Sequence, residues 1–207
     1  MRILSAIADI AAIAATTAFG LQPVCAQQHD PLKSAMAIAR GLGAEHCELQ
    51  LETNKEDWTK PELFTLRSIQ DYDQSVSEYT LVRVPCWMAA YNQGDVYVLV
   101  DTSGSAELVT FAVPSYMVVY EDEDNSDTVK SISITGYTAK TSVVLSDFDS
   151  EKQEISEYYK IRGLGDASTS ATWKFEDGAF VLKRFSIDAS YDGEINPTEL
   201  VEFGDAK

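Results

Sequence analysis

The sequence predicts a mainly β fold: an antiparallel, meander or sandwich-like single domain with one short N-terminal helix. From Cys47 onward, short β-branched and aromatic runs alternate with polar turns about every ten residues. An Asp-Gly pair near the C-terminal end separates two apolar runs, a pattern typical of a tight hairpin. A helical pattern of apolar residues precedes these runs. We therefore expect a helical segment over residues 27–45 and an antiparallel β domain over residues 46–207.

The first 26 residues are typical of a secretory signal peptide. Arg2 gives a positive start, an apolar run extends from Ile3 to Leu21, and Val24-Cys25-Ala26 places small residues at a cleavage site. Asp9 lies within the apolar run and would be costly at the centre of a membrane-spanning helix. We expect cleavage after Ala26, a periplasmic or secreted protein, and no membrane span after cleavage. A lipoprotein attached through Cys25 and a retained anchor are the alternatives.

Residues 27–45 carry the start and stop signals of one helix. Asp30 is a favourable N-cap residue, and Pro31 suits the first helical position. Gly41 and Gly43 are typical of a helix end. The apolar side chains recur with helical spacing and share one face: Leu32, Met36, Ala39 and Leu42.

The clearest strand pair flanks Asp177-Gly178. Both central residues of a type I′ turn need positive φ, which this dipeptide tolerates. A two-residue loop places Phe175 opposite Phe180 and Trp173 opposite Leu182. All four side chains then share one face, as a half-buried hairpin requires.

Other segments indicate further strands. Residues 96–100 and 108–113 flank a polar turn at 102–105, which predicts a second hairpin. Residues 131–135 alternate between serine or threonine and isoleucine, as a half-buried strand does. Residues 121–127 form an acidic loop.

The net charge of the chain is −17, and it is unchanged by removal of the leader because Arg2 and Asp9 cancel. Such a field repels phosphate backbones, which argues against nucleic-acid binding. It favours a cationic protein or another envelope component as partner. A solvated acidic surface is the simpler explanation.

Two cysteines remain after cleavage, Cys47 and Cys86. In an oxidising compartment such a pair predicts one disulfide. It would close a loop of about 40 residues and stabilise the fold by roughly 3–4 kcal/mol. The alternative is a catalytic thiol at Cys47 beside His46, although no further residue completes a triad.

Two stretches carry a family resemblance. Val84-Pro85-Cys86-Trp87-Met88-Ala89-Ala90-Tyr91-Asn92 leads into an apolar strand that ends at Asp101. Arg162-Gly163-Leu164-Gly165-Asp166 is followed by Trp173 and its hairpin. In this order they resemble the bacterial exported family called domain of unknown function 1176 (DUF1176), over roughly residues 78–203. The resemblance implies export and a β-rich fold, and it implies no particular activity.

The sequence departs from the family pattern at two places where cysteines are usual. Those places hold Ala167 and Ser190. Their joint replacement is what loss of one disulfide would produce, and it leaves Cys86 to pair with Cys47. No cysteine-based role is therefore carried over from the family.

Residues 188–199 resemble an EF-hand calcium loop. Gly193 occupies the position of the sharp turn, and oxygen donors occupy positions 1, 3, 5 and 12: Asp188, Ser190, Asp192 and Glu199. The context is unfavourable, because residues 180–185 belong to the predicted hairpin and Pro197 lies within the loop. An acidic turn before a last strand at 200–203 is the simpler interpretation.

The remaining motifs form no catalytic constellation, so we expect no enzyme. The sequence has no Gly-x-Ser-x-Gly elbow, and both histidines, His29 and His46, precede the β-rich part. Residues 162–166 lack the third glycine and the following helix of a phosphate-binding loop, so a tight bend is the simpler explanation. An undetected hydrolase is the alternative.

Trp87, Tyr91 and Asn92 are the candidate binding residues, since they lie beside the predicted disulfide, although a tryptophan there also suits a core. We expect an exported, non-enzymatic binding or envelope accessory module. The alternatives are a calcium-binding protein that uses residues 188–199 and an inhibitor of a cationic cell-wall hydrolase such as lysozyme. We expect no cofactor other than calcium in that first alternative.

Overall fold

A computed structural model of the protein describes residues 29–43, 47, 60–69, 75–122 and 124–204. This part of the chain forms one α-helix and twelve strands, and all of the strand pairs are antiparallel. The predicted mainly β fold is confirmed. The elements are α1 (Pro31–Gly41), β1 (Glu62–Ile69), β2 (Val76–Met88), β3 (Gln93–Asp101), β4 (Ala106–Leu108), β5 (Phe111–Asp122), β6 (Asn125–Lys140), β7 (Ser142–Val144), β8 (Asp147–Asp149), β9 (Glu154–Lys160), β10 (Ser168–Glu176), β11 (Ala179–Asp188) and β12 (Thr198–Glu202).

The strands form two five-stranded sheets and one long hairpin. The first sheet has the order β1-β2-β3-β4, and β7 pairs with β3 next to β4. The second sheet has the order β12-β11-β10-β9-β8. Among the described residues, strands β5 and β6 pair only with each other, and β6 has no buried residue. We call this hairpin the arm.

The main core contains apolar side chains from both sheets. Leu81 and Tyr97 come from the first sheet, and Ile155 and Trp173 come from the second. The Trp173 indole nitrogen donates to the Ala112 carbonyl oxygen at 2.8 Å, which satisfies its polar atom at the base of the arm. The two sheets therefore pack on each other through this core.

A second, smaller core lies where α1 packs on the first sheet. Ala35 and Ala39 contact a cluster that includes Val82 and Val96. Asp30 caps the helix as predicted, since its carboxylate accepts from the backbone N–H groups of the second and third helical residues at 3.1 and 3.3 Å.

The predicted disulfide between Cys47 and Cys86 is confirmed. Both cysteines are buried in the small core. The bond therefore fastens the chain that follows α1 to the end of β2. No helix in the described part of the chain is long and apolar enough to cross a membrane. The predicted leader at residues 1–26 and His46 lie outside the described residues.

The hairpin around Asp177-Gly178 has the predicted register. Phe175 pairs with Phe180 and Trp173 pairs with Leu182, and all four side chains are buried. Asp177 and Gly178 have φ of +48° and +84°, the conformation of a type I′ turn. The predicted last strand is also present, as β12.

The hairpin predicted over residues 96–113 is only partly correct. β3 and β4 pair, but the second predicted strand is interrupted at Val109, whose N–H donates to the Tyr97 carbonyl oxygen at 2.8 Å. The chain then enters β5 at Phe111 and leaves the first sheet to form the arm. The alternating segment 131–135 lies within β6.

Candidate functional site

Trp87 lies at a bulge in β2 and pairs with Gly94 of β3. A Cβ atom added at Gly94 would overlap the indole ring, so the ring lies directly on the glycine backbone. One face of the indole is therefore covered, and the partly exposed side chain can present only its other face or its edge to a ligand. Glycine is required at position 94 because any side chain there would displace Trp87.

Trp87 lines a cleft of about 360 Å³, which we call the Trp87 cleft. The cleft lies where β7, in the first sheet, meets β9 of the second. Two of its lining residues are apolar, Trp87 and Val144, and two form an oppositely charged pair, Lys140 and Glu157. The other four carry hydroxyl groups: Thr141, Ser142, Tyr159 and Thr169. A small polar ligand fits this mixture of one aromatic ring and many hydrogen-bonding groups.

Glu157 on β9 and Lys140 on β6 connect the second sheet to the arm at the cleft. The Glu157 side chain is only 2% exposed, and it forms an ion pair with the Lys140 ammonium group. Its other carboxylate oxygen accepts from the Val144 N–H at 2.9 Å. The Lys140 nitrogen also lies 5.5 Å from the centroid of the Trp173 ring. The buried charge is thus neutralised, and the pair contributes no net charge to the cleft.

Ser142 differs from the other polar groups of the cleft. Its hydroxyl oxygen is buried and has no hydrogen-bond partner among the described residues. Most buried polar atoms in proteins are paired, so an orphaned one is typical of a place that a ligand or water completes. Because this oxygen is shielded from solvent, the Ser142 side chain must rotate to another χ1 rotamer before a group in the cleft can bond to it.

Tyr91 and Asn92, the other two predicted binding residues, do not line the cleft. The Asn92 amide donates to the Lys160 carbonyl oxygen at 2.9 Å and accepts from the Lys160 N–H at 3.3 Å. The Tyr91 hydroxyl donates to the Ile161 carbonyl oxygen at 3.4 Å, and a Cβ atom at Gly163 would touch its ring. These contacts tie the loop after β2 to the end of β9.

The predicted calcium loop lies between two strands, β11 and β12, where an EF-hand would have helices. We call residues 188–196 the Asp188 turn. One Asp188 oxygen accepts from the Ser190 N–H and hydroxyl at 3.2 and 2.8 Å. The other accepts from the Asn196 N–H at 2.7 Å. Internal donors thus occupy both oxygens of the buried carboxylate.

The other two predicted calcium ligands are exposed. Asp192 accepts from the Glu194 N–H at 2.8 Å, and this backbone hydrogen bond is the main cause that lowers the Asp192 pKa. Glu199 lies on β12, where it pairs with Ser186. The described residues contain no group of three or more His, Cys, Asp or Glu side chains that could hold a metal ion. Calcium binding stays an alternative hypothesis, and the internal hydrogen bonds of Asp188 argue against it.

The glycine-containing segment 162–166 forms a clamp on the Asp188 turn. The Arg162 guanidinium group forms a bidentate ion pair with the buried Asp166 carboxylate. It also donates to the Tyr191 carbonyl oxygen at 3.0 Å, while Asp166 accepts from the Gly193 N–H at 3.0 Å. Gly165 has φ of +81°, so the tight bend needs it. The segment therefore has a structural role in the turn.

Sequence reasoning identified Trp87 but missed the rest of the Trp87 cleft. Lys140 and Glu157 lie on different strands, 17 residues apart in sequence, and neither belongs to a recognisable motif. Ser142 opens a strand of three residues, which is too short to produce an alternating pattern. The only sequence signal for this region was the tryptophan that follows Cys86.

A family described as "Protein of unknown function (DUF1176)" matches residues 14–194. The matched range includes both stretches that carry the resemblance, and it begins well before residue 78. Neither a curated protein nor a solved structure matches the chain. Because the family match spans most of its length, the chain belongs to the DUF1176 family.

Proposed function

We propose that this protein is an exported, non-enzymatic binding protein that holds a small polar ligand in the Trp87 cleft. The observation that carries the proposal is the Ser142 hydroxyl, which has no hydrogen-bond partner among the described residues and belongs to a side chain that lines the same cleft as a partly exposed indole. Binding of a ligand there would complete the hydrogen bonding of the cleft.

The state of the charged pair supports binding over catalysis. Both Glu157 oxygens accept hydrogen bonds, one from Lys140 and one from the Val144 N–H, and the side chain is only 2% exposed, so a substrate has little access to it as a general base. Lys140 is held as an ammonium donor in the ion pair, which disfavours a nucleophilic role. The pair instead supplies a fixed, neutral floor for the cleft.

Two features support export. The first is the signal-peptide pattern of residues 1–26. The second is the buried Cys47–Cys86 disulfide, which forms and persists in oxidising compartments. Sequencing the N-terminus of the secreted or periplasmic protein should give Gln27 as the first residue. An intact leader on protein confined to the cytoplasm would contradict export.

The binding proposal is tested by calorimetric titration of the mature protein with a panel of sugars, amino acids, nucleotides and small carboxylic acids. At least one class should bind, and Ser142→Ala and Trp87→Leu should weaken that binding while the variants still melt cooperatively. Tyr91→Phe is the matched control, because Tyr91 does not line the cleft. Binding of no member, or binding that both cleft variants leave unchanged, would overturn the proposal.

A second candidate function is capture of a cationic protein, such as a cell-wall hydrolase, by the arm. β6 has no buried residue, and the turn between β5 and β6 carries exposed carboxylates at Asp122 and Asp124. The net charge of −17 favours such a complex. Mixing the protein with lysozyme should then lower the lysozyme activity, and salt should restore it. Unchanged activity at low salt would remove this candidate.

A further inference from the structure

We infer that the ligand of the Trp87 cleft is a neutral saccharide of one or two rings. This inference rests on the proposed binding function and adds the chemical class of the ligand. It follows from the charge, the hydroxyl groups, the indole and the size of the cleft.

The charge of the cleft favours a neutral ligand. Lys140 and Glu157 cancel each other, and an added cation could reach the Glu157 carboxylate only by displacing Lys140. An anion would have to approach a protein whose net charge is −17. A ligand without formal charge avoids both costs.

The polar lining matches the groups that a sugar presents. Ser142, Thr169 and Tyr159 carry hydroxyl groups, and Tyr159 is 40% exposed. Each hydroxyl can both donate and accept a hydrogen bond, as each sugar hydroxyl can. The Lys140 ammonium group has three N–H donors, and its hydrogen bond to Glu157 uses one of them. The others can donate to a ligand.

The indole supplies the apolar part of the recognition. A pyranose ring has one face made mainly of C–H groups, which carry a small positive charge. The face of an aromatic ring is negative, so the two faces attract each other and exclude water. Because Gly94 covers one face of Trp87, a single sugar ring can stack on the indole.

The size of the cleft sets the length of the ligand. Its volume of about 360 Å³ lies near the lower end of the range of ligand pockets. This volume suits one or two sugar rings, and a longer glycan would extend into solvent. Fragments of envelope glycans therefore have the chemistry that the cleft requires.

The test is calorimetric titration of the mature protein with glucose, cellobiose and di-N-acetylchitobiose. Glucuronate and glucosamine serve as charged analogues, and the amino-acid panel serves as a different class. At least one neutral sugar should bind, and each charged analogue should bind more weakly than glucose. Ser142→Ala should weaken sugar binding about fivefold to tenfold, as expected for one hydrogen bond. Trp87→Leu should weaken it by about tenfold or more.

The two proposals fail in different ways. If an amino acid or a carboxylic acid binds in a Ser142-dependent manner and no sugar binds, the saccharide inference is wrong and the binding proposal stands. If no compound of either panel binds, both are wrong. Tyr91→Phe should bind sugar as the unmodified protein does, and an equal loss in this control would contradict recognition by the Trp87 cleft.

Discussion

The Asp188 turn and the Trp87 cleft are both clusters of polar side chains beside the second sheet, yet their hydrogen bonding differs. In the turn, the buried Asp188 carboxylate is occupied by internal donors, and Arg162 and Asp166 hold the turn from outside. In the cleft, Glu157 is also satisfied, but the Ser142 hydroxyl is not.

This difference separates a structural motif from a candidate site. The sequence of the turn resembles a ligand site more closely, because its donors have the spacing of a calcium loop. Three of these four groups, Asp188, Ser190 and Asp192, instead form hydrogen bonds inside the turn. In the cleft, an aromatic ring is partly exposed and a buried hydroxyl has no partner among the described residues, and we propose that a ligand binds there. We therefore base the binding proposal on unsatisfied hydrogen bonding and not on the spacing of oxygen ligands.

The largest expected change in folding stability follows removal of the disulfide that precedes Trp87. Replacing both Cys47 and Cys86 by alanine should lower the free energy of unfolding by about 4 kcal/mol, since the disulfide closes a loop with a sequence separation of 39. Denaturant unfolding with and without dithiothreitol measures it. The reductant should affect the original protein and leave the double variant unchanged. A loss below about 1 kcal/mol would show that the bond does not restrain the chain.

The next effect concerns the clamp on the turn. Asp166→Ala should lower the free energy of unfolding by about 2–3 kcal/mol, because Arg162 loses its buried partner and the Gly193 N–H loses its acceptor. The Arg162 side chain is 36% exposed, so water can solvate its guanidinium group in the variant, which reduces the loss of stability. Chemical denaturation checks the value. The control is Glu107→Ala, which removes an exposed carboxylate on β4 and should change the stability little.

Two serines provide the sharpest test of the comparison. Ser190→Ala removes a hydroxyl that donates to Asp188 at 2.8 Å, and it should cost about 1 kcal/mol. Ser142→Ala removes the orphaned hydroxyl, and it should leave the stability unchanged or raise it by up to about 1 kcal/mol. Parallel unfolding curves measure both. A loss for Ser142→Ala as large as that for Ser190→Ala would show that Ser142 is satisfied in the folded protein.

The smallest expected effect is that of calcium. A site of extracellular affinity, with Kd about 10⁻⁴–10⁻³ M, would stabilise the protein by roughly 1–2 kcal/mol at about 5 mM calcium. Because internal donors occupy Asp188, we expect no change in Tm. Magnesium at the same concentration controls for ionic strength. A calcium-specific rise that Asp188→Asn abolishes would establish the calcium site.

Local rules were sufficient for several elements of the fold. The caps of α1 and the register from Trp173 to Leu182 each depend on residues close together in sequence. The disulfide followed from the number of cysteines that remain after cleavage. For the helix and the hairpin a short-range pattern restricts the choice to one arrangement, and for the disulfide the count of two cysteines does so.

The Trp87 cleft could not be predicted in the same way. It exists because β7 lies against β9, and that contact depends on how the two sheets pack. The arm could not be predicted either. No residue near Phe111 indicates that the chain leaves the first sheet at that point. For the turn, the calcium-loop spacing of its oxygen-bearing side chains was visible in the sequence. The clamp formed by Arg162 and Asp166 was not.

The contact between Trp87 and Gly94 also restricts the order in which these two positions can change. A side chain at position 94 is excluded as long as an indole lies on it, whereas position 87 can accept a smaller residue first. In a double-mutant cycle, Gly94→Ala should therefore cost less in a Trp87→Ala background than in the original protein. Descendants of this sequence would lose the tryptophan before they lose the glycine, and the reverse path would pass through a destabilised protein.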